Sequence, residues 1–273
     1  MKVLVGMLAV SIPALSLAEG FECLMEPSQV VELRASVEGE IVAVHVQRGD
    51  VLRKGQVLVE LQSAAEKVAV ELAGYRAKME GQVEMARTRL DFANKKLTRV
   101  MDLEQNNFVS PQARDEADAE RALAASELLA AIESRELAEL EFRRAQEQLA
   151  LRTLSSPFAG VVVDRLLNPG DLAEAGTGRK PILEIAQIDP LKVDVVVPAA
   201  LYGRITVGQS ATVLSAVSGA EYQAKVKIVD RVIDAASDTF VVRLDLPNPQ
   251  LRLPVGSRCT AEFEVIAAPV TNP

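Results

Sequence analysis

Three side chains near the middle of the sequence combine recognition chemistry with a fixed spacing: Arg99, Leu103 four residues on, and Ser110 seven further. An arginine presents a planar fork of donors suited to carboxylates or backbone carbonyls. Leucine offers an apolar knob, and serine a hydroxyl that both donates and accepts. Each also has a plainer use: Arg99 as a solvated helix charge, Leu103 as the end of an internal seam, Ser110 as a helix N-cap ahead of Pro111. Residues suited to covalent chemistry are scarcer. His45 is the only histidine and lies in the alternating run Val44-His45-Val46, so a structural or exposed place in a strand is expected, with no second histidine for a zinc site. No Gly-rich phosphate loop opens a helix. The carboxylates Glu133, Glu136 and Glu139 fall among Arg135, Arg143 and Arg144, as on a solvated helix with intrahelical pairs. The expectation is a protein that binds and is not an enzyme, with no cofactor and no metal site.

The element that must position Arg99, Leu103 and Ser110 is a stretch at 64–149 that reads as two long helices joined by one short turn. In the first arm the apolar positions are Val68, Leu72, Tyr75, Met79, Val83, Ala86, Leu90, Ala93, Leu97 and Val100. They step by three and four with one extra four at Met79 to Val83, a heptad seam with one stutter. The second arm continues as Ala117, Arg121, Ala124, Leu128, Ala131, Arg135, Ala138, Phe142, Ala145 and Leu149, and its composition agrees with its period. The turn falls near 106–110, before Pro111. Arms of roughly 40 residues at about 1.5 Å per residue make a rod on the order of 60 Å long, which spans a distance and does not close a core.

Cores must come from the flanks, which repeat each other. Gly39-Glu40-Ile41-Val42, then Arg48-Gly49-Asp50, then Leu58-Val59-Glu60 precede the rod; Gly160-Val161-Val162-Val163, then Pro169-Gly170-Asp171, then Leu183-Glu184-Ile185 follow it. Both Gly39 to Gly49 and Gly160 to Gly170 are ten residues, while Gly49 to Glu60 is eleven and Gly170 to Glu184 fourteen. The second copy thus carries a three-residue insertion, placed at Gly176-Thr177-Gly178. Each half has too few strands to bury a face alone, so the two must associate across the base of the hairpin. From residue 190 to 267, short alternating runs separated by Gly, Asn-Pro and Ser-Gly signals indicate a small antiparallel β-barrel. Residues 19–33 form a short N-terminal segment and 268–273 a tail.

Composition bounds the partners. The formal charge is -8, tryptophan is absent and aromatics are 4%, which argues against nucleic acid and against a base-stacking platform. Residues 1–18 run from Met1-Lys2 through an apolar stretch to Ser16-Leu17-Ala18, the pattern of a cleavable signal peptide with the mature start at Glu19; an uncleaved anchor is the alternative. Gly20-Phe21-Glu22 before Cys23 lacks the small apolar run of a lipoprotein signal, so no lipid anchor is expected there. An oxidising compartment follows, most simply a periplasm.

The two half motifs resemble a lipoyl (biotinyl-lipoyl-like) domain cut in two. A carrier would present its modified lysine where this chain has Gln62-Ser63-Ala64 and then the hairpin, with Lys67 already in the helix, so the carrier-enzyme function is not expected. The whole nested order resembles the periplasmic adaptor subunits (membrane fusion proteins, HlyD-like) of tripartite efflux pumps, resistance-nodulation-division type. In that family, adaptors that dock to TolC-type outer-membrane channels carry Arg, three residues, Leu, six residues, Ser across the hairpin tip; Arg99, Leu103 and Ser110 meet both spacings. The fold implied is α+β, elongated and multi-domain: an antiparallel α-helical coiled-coil hairpin inserted in a split lipoyl-like domain (34–63 plus 150–189), followed by the barrel. The partners implied are an inner-membrane efflux transporter, of resistance-nodulation-division type ahead of an ATP-binding-cassette exporter, a TolC-type channel, and further copies of this chain in a sixfold ring. A periplasmic coiled-coil scaffold with no transport role is the alternative. Nesting returns both chain ends to the end opposite the hairpin tip, which makes Cys23 and Cys259 a candidate disulfide, with two separate thiols as the alternative.

Overall fold

The computed structural model describes residues 20–176 and 179–263; the signal segment, the cleavage point before Glu19, Thr177 and Gly178 of the insertion and the tail lie outside them. In chain order the elements are β1 (Phe21–Leu33), β2 (Gly39–Val44), β3 (Val51–Leu52), β4 (Val57–Leu61), α1 (Ala64–Ala77), α2 (Gly81–Gln105), α3 (Pro111–Ala150), β5 (Thr153–Ser155), β6 (Gly160–Arg165), β7 (Leu172–Ala173), β8 (Leu183–Pro198), a 3-10 turn (Ala199–Leu201), β9 (Ser210–Ser215), β10 (Glu221–Val229), β11 (Thr239–Leu246) and β12 (Ser257–Phe263). The architecture is α+β and elongated, with the helical hairpin inserted in a β-domain that its two flanks build together.

The half motifs hold each other through matched hydrogen bonds. Gly49 N–H donates to the Val162 carbonyl at 2.9 Å and Val162 N–H to the Asp50 carbonyl at 2.9 Å; in the other direction Gly170 N–H donates to the Ile41 carbonyl at 2.8 Å and Ile41 N–H to the Asp171 carbonyl at 2.9 Å. Each Gly-Asp turn is therefore gripped by the strand of the other copy. Both glycines adopt left-handed backbone, φ 92° at Gly49 and 91° at Gly170, open to glycine without a Cβ penalty. The carboxylates of Asp50 and Asp171 close the turns on the N–H groups of Gln47 and Asn168 at 2.7 and 2.8 Å. Strand pairing repeats the exchange, since β2 pairs with β7, β3 with β6 and β4 with β5. Ile41, Leu58 and Leu61 from one half and Phe158, Val162 and Ile185 from the other share one core.

The second β unit is a closed barrel. Strands follow the order β1-β12-β9-β10-β11-β8, and β8 pairs back to β1. The segment 19–33 supplies β1, whose antiparallel register with β8 runs from Cys23 opposite Val195 to Leu33 opposite Leu183. The expected boundary between residues 189 and 190 falls inside β8, so one strand pair belongs to both β units. Its register shifts between Pro27 and Gln29, where a proline has no N–H to give the ladder. Inward residues such as Met25, Val193, Val195, Val213, Phe240 and Leu244 fill the barrel. Outward, a chain of ion pairs crosses three strands: Lys192 Nζ lies 2.5 Å from Glu26 and 3.4 Å from Asp194, whose two oxygens accept from Arg243 at 2.7 and 3.2 Å.

In the hairpin, every seam position expected in the second arm, from Ala117 to Leu149, is buried or half-buried. The first arm differs from expectation twice. It is two helices, broken at Lys78-Met79-Glu80, where Lys78 and Met79 N–H groups turn back to the Tyr75 and Arg76 carbonyls at 3.2 and 3.1 Å. Its lower half also presents the other face: Val70, Ala73, Gly74 and Ala77 point to α3, while Val68, Leu72, Tyr75 and Met79 are exposed. The physical reason is the facing Phe142. A Cβ on Gly74 would stand 2.9 Å from its ring, so the ring packs where the glycine leaves room. The break then resets the register, because Ala77 and Val83 are six apart and no continuous helix places both inward. Arg135 borders the groove at the break, where an unbroken apolar seam would have had to cover a guanidinium.

Burial raises the Asp194 carboxyl, but the Arg243 hydrogen bonds and charge, with Lys192, outweigh it and hold it below the usual carboxylate range. A carboxyl depressed in the folded state stabilises above its unfolded value, near pH 4, and that contribution fades as pH falls through the folded value. The Asp194→Asn variant is expected to lose about 1 kcal/mol at neutral pH. In denaturant titrations the difference from the parent protein should shrink steadily as the pH is taken below about 4.

Candidate functional site

The tip is built by a turn that ends α2 and starts α3 with few residues to spare. Asn107 takes left-handed backbone, φ 60°, a conformation asparagine tolerates better than most residues. Asn107 N–H returns to the Glu104 carbonyl at 2.8 Å and Phe108 N–H to the Leu103 carbonyl at 2.9 Å, while the Asn106 side chain donates to the Asp102 carbonyl at 2.7 Å. The last carbonyls of α2 are thereby used, and the turn is fixed without a core. Ser110 stands at the N-cap of α3 with extended backbone, φ -79° and ψ 156°, followed by Pro111 in the first turn, yet its hydroxyl makes no capping bond. The plainer use of Ser110 therefore employs its backbone position and leaves its hydroxyl facing solvent.

Arg99 and Leu103 lie one turn apart on α2, so they share a face. Arg99 is exposed and forms no ion pair among the described residues, in contrast to Arg114, which reaches Glu104 of the opposite arm at 4.0 Å. Leu103 is 44% exposed and does not close the internal seam, which ends on the half-buried Val100 and Glu104. The structure thus brings all three residues to one end of the rod with their functional groups in solvent. The sequence reading assigned no role to Phe108, although at 77% exposure it is the most solvent-facing large apolar side chain of the tip. An aromatic directly after Asn-Asn in a turn, where no seam can bury it, was the available signal.

At the other end of the rod, Arg152 fixes the hairpin to the β-domain. Its Nη1 donates to the Glu38 carbonyl at 2.7 Å and its Nη2 to Glu66 in the first turn of α1 at 2.6 Å. The side chain passes where a Cβ on Gly39 would stand 2.7 Å from Nη1. Cys23 and Cys259 face each other in the β1–β12 register and are joined by a disulfide, Cα atoms 4.9 Å apart, on the barrel wall. His45 pairs with Glu60 on the neighbouring strand at 2.8 Å, both exposed. Among the described residues no group of three or more His, Cys, Asp or Glu is placed to hold a metal ion, and no helix is long and apolar enough to cross a membrane.

Two family models match the chain: "RND MFP, barrel-sandwich hybrid domain" over residues 29–184 and "CusB-like, beta-barrel domain" over residues 191–265. The multidrug resistance protein MdtA of Escherichia coli (strain K12) is 27% identical over 230 residues, covering 81% of this chain and 52% of MdtA. The chain therefore spans about half the length of the curated relatives it matches. Among solved structures, MacA from Actinobacillus actinomycetemcomitans superposes with a TM-score of 0.73 at 20% identity, over 91% of this chain and 78% of MacA. The membrane fusion protein Spr0693 from Streptococcus pneumoniae R6 gives 0.62 at 20% identity, over 91% of this chain and 99% of its own. These likenesses establish the fold.

Two consequences can be measured. The Arg152→Ala variant should lose about 1 to 3 kcal/mol of stability, since it strips charge-assisted hydrogen bonds from a largely covered site. Spin-label distances between the β-domain and the tip should broaden in that variant. A Cys23→Ser/Cys259→Ser double variant should lose about 2 to 4 kcal/mol in chemical denaturation; non-reducing peptide mapping that finds both thiols free in the native protein would remove the bond from the account.

Proposed function

The chain belongs to the RND membrane fusion protein family, and from that membership we propose that it is the periplasmic adaptor that joins an inner-membrane efflux transporter to a TolC-type outer-membrane channel. The observation that carries this reading is the hairpin tip, where Arg99, Leu103 and the uncommitted Ser110 hydroxyl stand in solvent at the end of a rod whose base is anchored in the β-domain. Arg99 supplies donors for carbonyl or carboxylate groups, Leu103 an apolar knob, and Ser110 a short polar contact. None of these groups is arranged for catalysis. The work of the protein is assembly and sealing of a conduit, with energy supplied by the transporter. Several copies in a ring, six by family resemblance, would set a tip at each position around one channel.

A resistance-nodulation-division partner leads because both matched family descriptions belong to that class of adaptor or to a CusB-like relative. An ATP-binding-cassette exporter using the same outer channel is the second choice. The printed name of MdtA concerns multidrug resistance, so drug-like compounds are the first cargo to assay.

The test is crosslinking in intact cell envelopes, purification of this protein, and identification of the membrane proteins that accompany it. Recovery of an outer-membrane channel together with an inner-membrane transporter is expected, and the transporter's identity decides the pump class. Recovery of neither from folded, abundant protein would leave the scaffold reading in its place. Within the complex, Leu103→Asp should abolish channel recovery and reduce export by about tenfold or more, the cost of placing a charge in an apolar contact. Its thermal unfolding should stay unchanged, because Leu103 is exposed in the isolated chain.

A further inference from the structure

The break between α1 and α2 opens a groove against α3 that serves neither the tip nor the β-domain. It consists of two adjoining hollows, of about 260 and 510 Å³, which share Gln82, Ala131 and Ser134. The two differ in chemistry. The first gathers the polar side chains Arg76, Gln82, Ser134, Arg135 and Glu141. The second is walled by Met85, Ala86, Ala130 and Ala131, and is bordered towards the tip by Arg89 and Glu127, which pair with each other at 3.0 Å.

Several donors of the first hollow have no acceptor. Arg76, exposed at the end of α1, forms no ion pair among the described residues. Arg135 Nε lies 3.5 Å from the Glu139 carboxylate, yet this nitrogen is shut from solvent and makes no hydrogen bond. A buried donor left in that state is costly. The 25-residue helix α2 starts at the same place without a side-chain cap, and the Gln82 and Val83 N–H groups of its first turn have no acceptor among the described residues. A helix start of this kind favours negative charge. The lining of the first hollow holds one carboxylate, Glu141, which the two guanidinium groups outnumber; Glu80 and Glu84 flank the helix start but line neither hollow.

We infer that the groove binds an amphipathic anion, a carboxylate head on a single alkyl chain. The planar donor forks of Arg76 and Arg135 take the carboxylate, with the open N–H groups of α2 and the Ser134 hydroxyl beside them. A small turn of the Arg135 guanidinium towards the bound oxygens gives its Nε an acceptor. The alkyl chain follows α3 towards Glu127 and buries its surface against Ala86, Ala130 and Ala131. Arg135 and Glu127 stand on the order of 12 Å apart along the helix axis, which accommodates a chain of medium length. The short Ser134 side chain keeps the passage between the hollows open. This site goes beyond the adaptor reading and makes no use of the tip, so either can fail without the other.

Equilibrium dialysis of the purified full chain against radiolabelled decanoate, below its micellar concentration, tests it. One decanoate per chain is expected to bind. Arg76→Gln and Arg135→Gln should each weaken binding about tenfold, Glu141→Gln should tighten it, and Ser134→Leu, which fills the passage, should abolish it with helical circular dichroism unchanged. Butyrate, with the head and little chain, and decyltrimethylammonium, with the chain and the opposite charge, should both bind far more weakly. Decyltrimethylammonium binding as well as decanoate would reveal an unselective apolar surface and overturn the inference. So would decanoate binding that survives Ser134→Leu at full strength, since the ligand would then lie elsewhere, or no binding at all to the folded parent protein. Oxidation of a Ser134→Cys variant in cell envelopes adds the remaining outcome: a crosslink to another protein chain, a second copy included, assigns the groove to that chain and overturns the inference too.

Discussion

The exchange of backbone hydrogen bonds between the two half motifs is the contact on which the other parts rest. Neither half can satisfy its own Gly-Asp turn, because the groups that complete it, the Val162 and Ile41 amides and carbonyls, belong to the opposite copy. The chain between the copies must therefore leave one half and return to the other at a fixed separation. An antiparallel helical hairpin does this at any length, since each residue added to one arm is matched in the other. The rod's reach is thus decoupled from the stability of its base. Arg152 then ties the departing helix to the β-domain at Glu66 and Glu38, so the direction of the rod is set at its root.

A second coupling joins the split domain to the barrel. β1 and β8 remain paired from the barrel into the split domain, so the two β units share a ladder where a flexible linker would otherwise stand. Motion between them would have to bend or break that ladder, whose register is interrupted between Pro27 and Gln29. The Cys23–Cys259 bond ties β1 to β12 on the far side of the same strand. The result is a continuous β scaffold beneath the rod.

Along the rod the two faces of α1 have different duties. Small residues face α3 and allow close approach around Phe142, while larger apolar residues face outward. A helix with apolar residues on two opposite sides is costly to leave in water on one of them. The tip is organised differently. Its turn spends backbone groups and the Asn106 side chain on itself and leaves the Arg99, Leu103, Phe108 and Ser110 side chains in solvent, so what it offers a partner is a set of exposed groups on a fixed backbone.

The sequence by itself determined what depends on local periodicity and on repetition. The second arm, the turn at 106–110, the strand runs of the barrel and the repeated Gly-Asp turns were all legible, because the signal for each lies within a few residues or within the matching spacing of the two copies. It also placed Arg99, Leu103 and Ser110 at the tip of the rod. Tertiary structure decided the rest. Two apolar faces competed on α1, and Phe142, nearly seventy residues away in sequence, selected the face carrying Gly74. No pattern within residues 19–33 told that they form the strand shared by both β units, since β1 is defined by its partners β8 and β12 and not by its own alternation. Nor could spacing show that the Ser110 hydroxyl stays free or that Phe108 is left in solvent. Local patterns fix which residues can lie on one face; only the packed neighbours decide which face is turned inward.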